Sequence, residues 1–400
     1  MQLVILIVLA LTAQQARYDD VVRNLRNPDP EARMEALKLL RESRYEEAIL
    51  PIAPLVNDPL DSIQLEAIGT ELSFFLVQDV KARKYVALII ETRSGGGRGE
   101  TAFTAGPIAV WPRPVPPELI TALLTAVDDE NPKVRIEAIY TLGSIAQPPL
   151  PDDAARQLIK ALDHYDPAIR AAAARVIGRL KVTSAGKELI KAVNDSQQPV
   201  RFAAMRALGD IRETTAVESL AQLAQHYGRG EGAWSALDAL AKIAHPSSVP
   251  LFKSRLIDRD QYIRRAAAEG LGRTGDTSEL AGLQAAAAKD SSGMVRAATA
   301  FALVKLGLDY TGHLINMLDD DKTVPQVAGY LIELGPSVAP ELVKRLNDAD
   351  KPVRGNAALI LGVVGTHEHI PALAPLLTDR DQDVRTAAER AIERIKLRGA

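Results

Sequence analysis

The sequence predicts an all-α solenoid, a stack of two-helix repeats, and three observations carry that prediction. One phrase recurs, its residues fall at helical spacing, and aromatic side chains are scarce. Residues 350–362 read D-K-P-V-R-G-N-A-A-L-I-L-G; the same frame appears as N-P-K-V-R-I-E-A-I-Y-T-L-G at 131–143 and D-P-A-I-R-A-A-A-A-R-V-I-G at 166–178. Several of its successive copies lie 31 or 32 residues apart, and self-similarity at such a period marks a solenoid or array. Only 4% of the chain is aromatic against 47% hydrophobic. That balance suits many small helix–helix contacts better than one thick core.

Each position of the phrase has a physical role. An arginine stands at its centre, at Arg33, Arg135, Arg170, Arg201, Arg264, Arg296, Arg354 and Arg385, while Gln64, Ala233 and Val327 hold that place in degenerate copies. Four residues earlier comes an N-cap type: Asp29, Asn131, Asp166, Asp260, Ser292, Asp350 or Asp381. Proline often follows (Pro30, Pro132, Pro167), where its fixed φ suits the first helical turn. Alanine recurs three residues past the arginine, as in Ala138, Ala173 and Ala204, and a small side chain there lets a neighbouring helix approach closely. Glycine near the end (Gly143, Gly178, Gly209, Gly272, Gly362) supplies a C-cap or a close crossing. This is the second helix of a unit. The first is the amphipathic segment before it, for example 117–129 or 338–348. Eleven units are expected from Asp29 onward.

Before the repeats, residues 3–11 are wholly apolar and the first charge is Arg17. A membrane-spanning helix needs about 20 apolar residues, so the run reads as the core of a signal peptide over 1–16, cleaved after Ala13 or Ala16. The expected organisation is then repeats over 17–76, an insertion over 77–116 and repeats over 117–400. From Gln64 to Arg135 the spacing is 71, so residues 77–116 are in excess. Their first part, through Arg93, reads as helix or strand; the rest is a Gly- and Pro-rich loop carrying Trp111. Two further departures, at 227–233 and 319–327, are read equally as bends in the superhelix or as drift.

The repeated unit resembles the HEAT-like repeat of the phycobilisome lyase type, and the resemblance covers nearly everything after Asp29. It implies a right-handed α-α superhelix, HEAT/armadillo-like, with the second helices on the concave side. It does not settle activity, because members include binding scaffolds, chromophore lyase subunits, a di-iron hydroxylase and DNA glycosylases. The di-iron members use repeated His-Glu pairs, whereas here only His367-Glu368 occurs, followed by His369 and read as a solvated turn. Glycosylase chemistry needs a basic face and aromatics for a flipped base, but 48 basic and 51 acidic residues leave a net charge of −3. With no cysteine, disulfides and thiolate chemistry are excluded.

The expected function is therefore a non-enzymatic, exported, monomeric scaffold presenting a concave helical surface to a protein or peptide. No cofactor, metal, nucleic acid or membrane insertion after signal removal is expected. The alternative is a subunit or accessory of a chromophore (bilin) lyase or related modifying enzyme. The arginines Arg135, Arg170, Arg201, Arg264, Arg296, Arg354 and Arg385 are read as a structural ladder. Where the N-cap is an aspartate, the arginine four residues on would pair with it, and stacking would bring each arginine near the neighbouring unit's aspartate. Closing the helical wheel puts the residue five past the arginine opposite the core. That row is Lys38, Gly69, Tyr140, Arg175, Arg206, Asp238, Glu269, Phe301, Ile332, Leu359 and Arg390. Tyr and Arg are types enriched at binding hot spots, so Tyr140, Arg175, Arg206 and Trp111 are the candidate partner surface.

Overall fold

A computed structural model of the chain describes residues 18–77 and 97–399. The expected signal peptide and the part of the insertion at 78–96 lie outside the described residues. Among these, residues 18–24 are helical, 22 further α-helices follow, and there is no strand. The chain forms two compact units, one ending at Val182 and one beginning at Thr183.

In the first unit the order is α1 (Pro30–Ser43), α2 (Ile49–Ile52), α3 (Asp61–Phe75), α4 (Arg98–Ala105), α5 (Pro117–Ala126), α6 (Pro132–Ile145), α7 (Arg156–Ala161) and α8 (Pro167–Arg179). The second unit opens with α9 (Gly186–Ala192), α10 (Gln198–Asp210), α11 (Val217–Tyr227), α12 (Gly230–Ile243), α13 (Val249–Arg255), α14 (Gln261–Thr274) and α15 (Leu280–Lys289). It closes with α16 (Gly293–Lys305), α17 (Thr311–Asn316), α18 (Val324–Leu334), α19 (Ala339–Arg345), α20 (Lys351–Val364), α21 (Ile370–Leu373) and α22 (Gln382–Gly399). Helices α1, α3, α6, α8, α10, α12, α14, α16, α18, α20 and α22 carry the arginine register, one per repeat. The chain is thus an all-α superhelical repeat fold.

The repeated phrase builds each second helix from both ends. Asp29, Asn131, Asp166 and Asp260 are extended N-caps whose side chains accept the N–H two residues on. The residue before the arginine (Val134, Ile169, Val200, Ile263) and the alanine three after it (Ala138, Ala173, Ala204, Ala267) are fully or almost fully buried. The late glycine is a crossing, not a C-cap. A Cβ on Gly209 would lie 2.7 Å from the Cα of Ala239, and one on Gly272 would lie 2.5 Å from the Cα of Ala302. The left-handed residue that closes the helix comes three residues later, at Arg44, Lys181, Arg212, Ala244, Gly275 and Gly307. Leucine at Ala173 or at Ala204 is therefore expected to overpack a helix crossing and lower stability by about 1–3 kcal/mol. Thermal melting checks this, and an unchanged midpoint for both would misplace the crossing.

The arginines do something other than pair with their own N-caps. Their guanidinium groups turn back to the carbonyls at the end of the preceding first helix. Arg170 donates to the carbonyls of His164 (2.7 Å) and Tyr165 (3.0 Å), Arg201 to Asp195 (2.8 Å), Arg264 to Asp258 (2.9 Å), Arg296 to Asp290 (2.8 Å), Arg354 to Asp348 (2.8 Å) and Arg385 to Asp379 (2.6 Å). Arg135 reaches the carbonyls of Val127 and Asp128 at 3.2 and 3.1 Å. The N-cap carboxylates at Asp166 and Asp260 accept from their own helix amides instead. The outer edge of several guanidiniums crosses to the next repeat: Arg264 to Asp290 (2.8 Å) and Arg354 to Asp379 (2.9 Å). In the degenerate repeat with Ala233, the Tyr227 hydroxyl stands in for that aspartate, accepting from Arg201 at 3.0 Å. Hydrogen bonding to Asp290, opposed by burial, holds the Arg264 guanidinium above its usual range.

Candidate functional site

From Gly97 on, the Gly- and Pro-rich stretch is not wholly the loop that its composition suggests. Residues 98–105 form α4, which begins after Gly97 and ends at Gly106, whose φ of 81 only glycine adopts readily. An isolated helix of this length is unstable in water, so tertiary contacts hold it. It lies on two second helices of the first unit, α6 and α8. The N–H of Gly99 donates to Glu137 Oε2 at 2.8 Å, and Glu100 pairs with Arg175 at 3.1 Å. Phe103 sits 5.3 Å from the Tyr140 ring, under the Arg179 guanidinium at 4.5 Å, and Arg179 also donates to the Phe103 carbonyl at 2.9 Å. Gly143 makes room: a Cβ there would lie 2.9 Å from the Phe103 ring.

Charge and burial are unevenly satisfied beneath α4. Arg175 donates to the Tyr140 hydroxyl at 2.8 Å. Burial pushes that phenol up to about 12, with Arg175 pulling the other way. Burial also raises the Glu137 carboxyl, against the opposing pull of the Gly99 amide and Arg98. Beside them the Thr141 hydroxyl is buried with no hydrogen-bond partner.

Two of the four candidate contact residues are thus joined directly, Tyr140 and Arg175. Arg206 lies in the second unit and pairs with Glu231 at 2.7 Å. Trp111 follows α4, and its backbone N–H donates to the Phe75 carbonyl at 2.8 Å beside an antiparallel bridge between Leu76 and Val110. The row five past the arginine is not the solvated row that the helical wheel implies. Tyr140 is 5% exposed, Glu269 4% and Phe301 0%. Second helices are flanked by second helices of adjacent repeats, so a residue turned away from its own first helix still meets a neighbour.

In the second unit the same row carries a buried ionic network. Arg265 holds Asp238 with two bonds (2.6 and 2.8 Å) and Glu269 at 2.8 Å; Glu269 also takes Arg273 at 2.9 Å and the Tyr330 hydroxyl at 2.5 Å. Arg273 reaches Glu333 at 2.8 Å while lying 5.0 Å over the Phe301 ring, which stacks on Tyr330 at 4.4 Å. Burial works against the Glu269 carboxylate, but Arg265 and Arg273 keep it below its usual range. The i,i+4,i+8 spacing of Arg265, Glu269 and Arg273 was the available sequence signal; their burial was not. Among the described residues no group of three His, Cys, Asp or Glu is arranged to hold a metal. His369 serves the turn at 367–369, its ring nitrogen accepting from the Thr366 N–H at 3.1 Å.

Comparison with known proteins agrees with this architecture. A HEAT-repeats family model matches residues 155–231, 228–304 and 313–396, and a second HEAT-repeat model matches 119–147. No curated protein matches the chain. Among solved structures, an engineered protein is 19% identical over 95% of this chain and 98% of its own, with a TM-score of 0.43. The CpcE–CpcF complex of phycocyanin lyase from Nostoc sp. is 20% identical over 61% of this chain and 94% of that one, at a TM-score of 0.42. Human deoxyhypusine hydroxylase is 18% identical over 69% and 96%, at 0.29. The repeat models cover more than half of the 400 residues, and the chain belongs to the HEAT-repeat family.

Proposed function

We propose that this protein is a non-enzymatic scaffold that binds a protein or peptide along its second helices, as an exported monomer in the periplasm or cell exterior. The observation behind this reading is α4 itself. The face of α6 and α8 holds a short helix by an amide–carboxylate bond, an ion pair and one aromatic anchor, and laying a helix in a groove is a recurring mode of peptide recognition. Export rests on the apolar run at 3–11. Among the described residues, no helix is long and apolar enough to cross a membrane.

Crosslinking in the native cell, followed by mass spectrometry, is expected to recover a protein partner joined to second-helix residues from an exported fraction. A purified chain that carries a bound pigment and fractionates with the cytosol would instead support the alternative drawn from the repeat resemblance, an accessory of a chromophore lyase.

A further inference from the structure

The face beneath α4 is specific enough to describe what it holds. Glu137 presents a carboxylate oxygen to the second amide of a helix, and Arg175 presents a guanidinium to an acid one residue later. Three residues further on, the Gly143 notch takes an aromatic ring between Tyr140 and Arg179. Only Gly99, Ala102 and Phe103 of α4 are buried, so a single anchor supplies most of its apolar contact. The fit is also incomplete, because the Thr141 hydroxyl is left buried and unpartnered at 3.1 Å from where a Cβ on Gly99 would stand. The helix is held by an amide–carboxylate bond, an ion pair and this one ring, and eight residues are too few to be helical on their own.

We propose that α4 is an internal stand-in for the partner: the groove of α6 and α8 binds a short helix of another protein, with an acid in its first turn and a phenylalanine one turn later, and α4 occupies that groove until displaced. The proposal rests on the scaffold reading and names the partner's chemistry.

The test uses the full chain and a fluorescent peptide copying residues 97–106, made helical by a lactam bridge between positions 101 and 105. Glu100→Ala with Phe103→Ala removes the two anchors of α4 while leaving α6 and α8 untouched. This variant is expected to keep its helical circular dichroism and to bind the peptide at least tenfold more tightly than the unaltered chain. Adding Arg175→Glu is expected to abolish that gain. If the double variant misfolds, Phe103→Ala alone gives the same comparison. A folded variant that binds the peptide no better than the unaltered chain overturns the proposal. So does an unaltered chain that dimerises and becomes monomeric with Phe103→Ala, since the occupant would then be a second copy. Cellular crosslinks that fall on other second helices, with no peptide binding to the opened groove, would leave the scaffold reading standing and sink this inference alone.

Discussion

Replacing Glu269 with alanine is expected to destabilise the second unit by about 3–5 kcal/mol, the usual loss when one partner of a buried ion pair is removed. Glu269 is 4% exposed and joins Arg265, Arg273 and the Tyr330 hydroxyl. Without it, Arg265 keeps Asp238 and Arg273 keeps Glu333, yet both guanidiniums lose a central charge in a place that water does not reach. Tyr330 loses its acceptor as well. Urea denaturation of the two proteins measures the difference. Glu269→Gln separates charge from hydrogen bonding, since the amide still accepts from Tyr330 but no longer neutralises either arginine, and it is expected to fall between the two. A loss below about 1 kcal/mol for the alanine variant, the range of a surface pair, would mean that the network contributes register and little stability.

Replacing Glu71 with leucine is expected to act in the opposite direction. Glu71 is 0% exposed in α3, and neither carboxylate oxygen has a hydrogen-bond partner. It occupies the register, seven past the arginine position, where Leu142, Leu208, Leu240, Leu271, Leu303 and Leu361 pack in other repeats. An unsatisfied buried polar group costs about 1–3 kcal/mol, so leucine should gain about that much at pH 7. Burial also raises the Glu71 carboxyl well above 4.5. A folded chain then retains a proton that the unfolded chain releases. The stability associated with that proton is fully present below pH 4.5 and is lost as pH rises through the folded value. Urea midpoints measured from pH 4.5 upward are expected to fall with pH more steeply in the unaltered chain than in Glu71→Leu. Parallel profiles would place a counter-charge beside Glu71.

The repeat, its two-helix content and its register were all legible in the sequence because they arise from short-range rules. Asp166 caps the amide two residues on, Ile169 and Ala173 fall on one face of α8, and Pro167 suits the first turn; each depends on residues within one or two helical turns. The partners of the polar residues were legible only in outline: an aspartate of the next unit was expected near each arginine, but no local pattern singles out Asp290 for Arg264, 26 residues away, or pairs Arg175 with Glu100, 75 residues away. Tyr140 and Glu269 read as outward on a single helical wheel, yet the flanking helices bury them. Composition called 97–105 a loop because Gly and Thr favour one in isolation. Only the tertiary structure turned it into a helix, since Glu137, Arg175 and the Gly143 notch supply from outside the contacts that eight residues cannot make among themselves.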